Sequence, residues 1–306
     1  MKNLNDLGGL HTEKQNEGTI NLDKMSALEV CMAMNNEDSK VISAIKEELA
    51  QIAKAIDLTV SQIKKGGRLI YMGAGTSGRM GIIDAVECVP TFGVTPEDVV
   101  GLIAGGDMAF IKAVEGAEDS SEMAAADLKN LNLAENDIVI GIAASGRTPY
   151  VIGGLIYANS QNAETVSISC NKNSEISKYA NLAIEVDAGP EVLTGSTRLK
   201  AGTAQKLILN MISTGSMARC GKVYKNLMVD VLMTNEKLKG RGKRMLMQIT
   251  NISSSEADEF LRLSDNKLKT AIVMAEKNCS KEEADELLNN FGGSIEKAIN
   301  GKKTAP

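Results

Sequence analysis

The chain of 306 residues has no tryptophan, one histidine, and only 4 Phe and 5 Tyr. Base-stacking platforms and aromatic sugar shelves need side chains that this composition does not supply. The single histidine, His11, excludes a multi-His metal site within one chain. It also leaves a Ser-His-Asp triad only if that residue, set in a polar N-terminal stretch, is the base. A basic excess is missing too. Against 34 Lys+Arg stand 39 Asp+Glu, and the formal net charge of −5 is the wrong sign for a nucleic-acid binder. The five cysteines (Cys31, Cys88, Cys170, Cys220, Cys279) are scattered and form no Cys-x-x-Cys pair. They read as reduced thiols rather than a disulfide framework or a zinc site. No run approaches the ~20 apolar residues of a membrane span, and Met1–Leu10 lacks the apolar core of a signal peptide. The expectation is a soluble cytoplasmic protein without nucleic-acid or membrane partners, whose proton transfers fall to Glu, Asp, Lys or Tyr.

What is present is an ordinary globular composition, 43% hydrophobic and 24% charged, long enough for about two domains. Residues 1–39 are polar and Asn-rich, with one short apolar run around Leu28–Met34. Val41, Ile45, Leu49, Ile52, Ile56, Val60 and Ile63 then repeat at helical spacing, predicting a long helix that Gly66-Gly67 ends. This stripe suits either a core face or a seam between subunits. Short apolar strands follow at 68–72, 99–103, 137–143, 165–169 and 182–186, alternating with helices. One of those helices is expected to stop at Pro90, and a second long helix is expected from Leu199 to about Cys220. Such alternation predicts a doubly wound, flavodoxin-like α/β domain with a parallel sheet, taken as residues 40–240. Residues 241–306 open on a basic run, Arg241–Arg244. Two capped helix starts follow, Ser253-Ser-Ser-Glu256 and Ser280-Lys-Glu-Glu283, predicting a small bundle of three helices.

Two loops carry the chemistry. Gly73-Ala-Gly-Thr-Ser-Gly78 matches G-x-G-x-x-G between a strand and a helix, the context of a dinucleotide fingerprint. No acidic residue closes the next strand, and the loop carries the Thr76 and Ser77 hydroxyls, which suit a phosphate monoester better than NAD. Ser145-Gly146-Arg147-Thr148 repeats the device after another strand, so the two loops are expected to converge at the carboxyl edge of the sheet. Gly75, Thr76, Ser77, Gly78, Ser145, Gly146, Arg147 and Thr148 are therefore the expected phosphate-binding residues. Thr194–Lys200 heads the second long helix, and Ser196 and Lys200 are weaker additions to the same pocket.

GAGTSGR (73–79) and ASGRTPY (144–150) resemble the phosphate loops of the sugar isomerase (SIS) domain. The longer runs DAVECVPTFG (84–93), AVEGAEDS (113–120), TGSTRLKAGTAQK (194–206) and NLMVDV (226–231) resemble the N-acetylmuramic acid 6-phosphate etherase family of SIS-domain proteins, from about residue 10 to 300. That resemblance implies an SIS-type fold, a homodimer and no metal or organic cofactor. It implies loss of D-lactate from a phosphorylated amino sugar by elimination, then addition of water. It also matches Glu87 to the family's proton donor and Glu118 to its second essential glutamate.

Without a catalytic histidine, a carboxylate pair is the simplest acid–base kit. Glu87, flanked by Ala85, Val86, Cys88 and Val89, is expected in an apolar setting that would suit it as an acid. Glu118 is expected to reach the crevice from a loop and to act as the base. Glu115, Asp119 and Asp84 are nearby carboxylates expected to play lesser parts. An SIS-type isomerase or a non-catalytic sugar-phosphate-binding regulator would use the same pocket.

Overall fold

A computed structural model describes residues 9–233 and 235–301. Residues 1–8 and 302–306, which the expected domain boundaries include, lie outside the described residues. Two compact units emerge. One runs to Val86 and resumes over Pro96–Ser213, and the other takes Glu87–Thr95 and everything from Thr214. The N-terminal segment thus belongs to the α/β unit, and the division falls at 213/214 rather than at 240.

In the first unit α1 spans Ala27–Lys64. It starts earlier than the apolar stripe suggests because Ser26 and Glu29 form a capping box over its first turn. Val41, Ile45, Ile52 and Val60 are buried, so the stripe is chiefly a core face, with Leu49 left exposed. The elements β1 (Leu69–Gly73), α2 (Gly75–Phe92), β2 (Val99–Ile103), α3 (Met108–Ile111), α4 (Ser121–Asn130) and β3 (Ile138–Ala143) follow in turn. Next come α5 (Pro149–Ser160), β4 (Glu164–Ser169), β5 (Leu182–Glu185) and α6 (Lys200–Arg219), the ends of α2 from Glu87 and of α6 from Thr214 counting with the second unit. Pro90 does not stop α2. Its missing N–H removes a single bond, Gly93 N–H still reaches Val89 O at 3.0 Å, and the helix runs on to Phe92.

The five strands are all parallel, in the order β2-β1-β3-β4-β5. Chain direction across the sheet reverses between β1 and β3, the switch point at which α/β sheets open a crevice. Strand β1 shows the two covered faces. Ile70 and Met72 join the cluster of Leu128, Tyr150, Val151 and Leu155 from α4 and α5. Tyr71, on the opposite face, donates its hydroxyl to Asp84 of α2 at 2.8 Å. Asp84 also accepts from Asn210 and Ser213 of α6, which makes it a structural carboxylate. At the other end of the sheet the Arg68 guanidinium grips buried Asp137 through both carboxylate oxygens, and Asp137 also accepts the Arg68 N–H. These bonds pin β1 beside β3.

The second unit holds five helices among its described residues rather than three. They are α7 (Glu236–Thr250), α8 (Ser254–Leu263), α9 (Leu268–Lys277), α10 (Lys281–Asn290) and α11 (Ile295–Asn300). They close over Leu246, Ala257, Ala271, Ile272 and Ala284. The capping boxes at Ser253/Glu256 and Ser280/Glu283 form as expected. α9 has no side-chain cap at its Lys267 start, and so gave no such signal. No helix among the described residues is long and apolar enough to cross a membrane.

Candidate active site

Gly73 of β1 lies in register with Ile142 of β3, so the loops leaving the two strands start side by side. The first passes directly into α2. Helix geometry leaves the N–H groups of Gly75, Thr76 and Ser77 without intrahelical acceptors, an arrangement that favours an anion. Gly73 and Gly78 are required by packing. A Cβ at Gly78 would sit 2.7 Å from both Gly73 O and Ile103 Cγ1. Ser77 is buried, and its hydroxyl donates to Gln205 Oε1 at 3.0 Å, so that proton is already in use.

The second loop turns on Gly146, whose N–H reaches Ala143 O and whose carbonyl accepts from Ile176 N–H. Ser145 Oγ accepts the Arg147 N–H at 3.4 Å, which leaves the hydroxyl proton to be donated elsewhere. Thr148 stands at the start of α5 without capping it. Both loops stand at helix starts on neighbouring strand ends; Ser145 and Thr148 are half-buried there, whereas the Ser77 hydroxyl is turned to Gln205.

The third segment behaves differently. The first donors of α6, Lys200 N–H and Ala201 N–H, are both taken at 2.9 Å by the carboxylate of Glu191. Burial pushes the Glu191 carboxyl up, and these two bonds oppose that shift. The Lys200 ammonium is itself buried and donates to Glu37 Oε2 at 2.6 Å and Ala188 O at 2.9 Å. The Lys200 ammonium thus has internal partners, and an internal carboxylate occupies this helix start. Ser196 is half-buried in the turn before α6, its N–H on Leu193 O.

A crevice of about 230 Å³ opens at the end of β1. Gly75 and Glu118 line it together, joined by Arg79 and Glu115. Glu118 sits on a short turn, Ala117–Asp119, entered through Gly116 in the left-handed conformation. Glu115, expected to be marginal, faces the same space, whereas Asp119 does not line it. Arg79 is not among the residues expected from the sequence. Its signal was the Ser-Gly-Arg run common to both loops, Ser77-Gly-Arg79 and Ser145-Gly-Arg147.

Glu87 does not line that crevice. It is exposed on α2, twelve residues beyond Gly75, which is about 18 Å along the helix axis. The apolar setting expected from its neighbours is absent because Ala85 and Cys88 turn inward while Val86 and Glu87 turn out. His11 is exposed as well, with Nδ1 2.6 Å from Asp187 Oδ2. Among the described residues no group of three or more His, Cys, Asp or Glu side chains could hold a metal ion.

Residues 51–159 match the glucokinase regulatory protein N-terminal SIS domain, and residues 113–214 match the SIS domain. The chain is 58% identical over 293 residues to an N-acetylmuramic acid 6-phosphate etherase of Bacillus cereus, covering 96% of this chain and 100% of that one. Identity is also 58% over 294 residues to the enzyme of that name from Oenococcus oeni, covering 96% and 99%. In fold it is similar to a phosphoheptose isomerase from Neisseria gonorrhoeae. The TM-score is 0.50 at 15% identity, over 63% of this chain and 100% of that one.

Proposed function

The chain belongs to the N-acetylmuramic acid 6-phosphate etherase family, and we infer from that membership and from the crevice beside β1 how its residues divide the work. The reaction is cleavage of the lactyl ether of N-acetylmuramic acid 6-phosphate with water, giving N-acetylglucosamine 6-phosphate and D-lactate. The start of α2 and the Ser145–Thr148 loop hold the phosphate. With the sugar open as its aldehyde, Glu118 removes the proton beside the carbonyl. Lactate then leaves from the next carbon, taking a proton from Glu87, and water adds to the alkene. Each step needs a placed proton donor or acceptor, and carboxylates can serve both roles.

The observation that carries this reading is the crevice that Gly75 and Glu118 share where β1 and β2 end; the Ser145–Thr148 loop, on the β3 side of β1, does not line it. The distance of Glu87 from Gly75 along α2 exceeds the length of a hexose phosphate. Glu87 therefore acts on substrate held by a second copy, and the enzyme is a homodimer. Two sets of exposed apolar side chains support that assembly. Ile83 and Val86 flank Glu87 on α2, and Leu28, Ile42 and Leu49 recur on α1 at multiples of seven residues. The setting is cytoplasmic use of a cell-wall amino sugar, in peptidoglycan recycling or muramic acid catabolism.

Glutamine variants test the division of labour. Glu118→Gln should lose both lactate release and solvent-deuterium exchange beside the carbonyl. Glu87→Gln should keep the exchange while lactate release slows. Retained exchange in the Glu118 variant would assign the base elsewhere, and full turnover by the Glu87 variant would remove its role as acid.

A further inference from the structure

We propose that Arg79 positions Glu118 by fixing the segment that carries it against the start of α2. The proposal rests on the reading of Glu118 as the base. Arg79 follows Gly75 by one helical turn and lines the same crevice. Its Nε donates to Phe110 O at 2.9 Å and its Nη2 to Ala109 O at 2.7 Å.

Those two carbonyls belong to α3, which is a single turn, too short to pair its own last C=O groups. A guanidinium satisfies both at once, and a positive charge suits the carboxyl end of a helix. Little else holds the segment. Between Gly105 and Gly116, Ala109 is the one buried residue, while Met108, Phe110, Ile111 and Val114 are exposed. Gly105 and Gly116 bound it with φ of 90° and 73°, so the backbone bends at both ends where no Cβ restrains it. Glu118 lies two residues past the second bend. The Arg79 fork therefore sets where the Glu118 carboxylate stands relative to a phosphate held on the same first turn of α2.

The test is a double-mutant cycle on the full-length enzyme with Arg79→Lys and Glu118→Gln, with Arg79→Gln as a second lesion. Lysine keeps the charge but puts its donors on one nitrogen of a flexible stem in place of a rigid planar fork. A displacement of about 1 Å costs on the order of 10²-fold in rate. Both Arg79 variants should therefore lose about that factor in kcat and in deuterium exchange, with KM within about threefold. Backbone amides of 105–118 should exchange faster in both, with the rest of the chain unchanged. The Arg79→Lys/Glu118→Gln enzyme should be no slower than Glu118→Gln alone, because the two residues act as a unit.

A raised KM with kcat intact would make Arg79 a phosphate ligand instead. Full activity of Arg79→Lys, or additive losses in the double variant, would also overturn the proposal. If Glu118→Gln alone retained exchange, the base assignment would fail, and it would do so independently of what the Arg79 variants show.

Discussion

Replacing Lys200 with methionine should weaken folding without weakening substrate binding. The ammonium is buried, donating to Glu37 and to the Ala188 carbonyl. Partial burial alone would push the Glu37 carboxyl up. Donors from Lys200, then Lys40 and Asn16, outweigh it and bring it from 4.5 down to about 2. At about 1.4 kcal/mol per pH unit, that difference is a ceiling of about 3.5 kcal/mol at neutral pH. Lys40 remains 2.7 Å from Glu37 in the variant and Asn16 still donates to it, so Lys200's share is about 2 kcal/mol. For a unit of this size the midpoint should fall by about 4–8 °C.

The pH dependence has a definite sign. Because Glu37 is depressed in the folded state, its contribution is complete above its ordinary 4.5 and lost as pH falls towards about 2. The gap between native and variant stability should therefore narrow on acidification through that window. Thermal melts from pH 7 to pH 3, run beside initial-rate kinetics, measure both effects. An unchanged midpoint with a severalfold rise in KM would place Lys200 on the substrate and refute the structural reading.

Ser145→Ala should raise KM for the phosphorylated sugar severalfold more than Ser77→Ala, since the Ser77 proton is given to Gln205. Initial-rate kinetics on the two variants check that order. Gly78→Ala should cost about 1–3 kcal/mol in a denaturant melt, because its Cβ would press on Gly73 O and Ile103. Val86→Asp, at a site 60% exposed, should fold normally yet shift the enzyme to monomers by light scattering and abolish turnover. A fully active monomer would remove the shared site.

Much of the fold was legible because parallel strands buried on both faces read as continuous apolar runs, and all five appeared in the sequence close to their observed limits. The strand–Gly–helix punctuation also marked where the two Gly-rich loops leave β1 and β3. What escaped detection depended on contacts distant in the chain. The partners of Lys200, Glu37 and Glu191, lie outside its own segment and were not readable from it. The Arg79 tether joins α2 to a turn thirty residues on. The exposure of Glu87 turns on which face of α2 it occupies, which its mixed neighbours did not decide. The early start of α1 was readable at Ser26-Ala-Leu-Glu29, a capping box before a weakly apolar stretch.

The central claim is that lactate leaves the sugar carbon and water takes its place there. Turnover of N-acetylmuramic acid 6-phosphate in heavy-oxygen water, followed by mass spectrometry of both products, tests it directly. The account predicts label in the amino sugar and none in lactate. Label in lactate would show cleavage on the other side of the ether oxygen and contradict it.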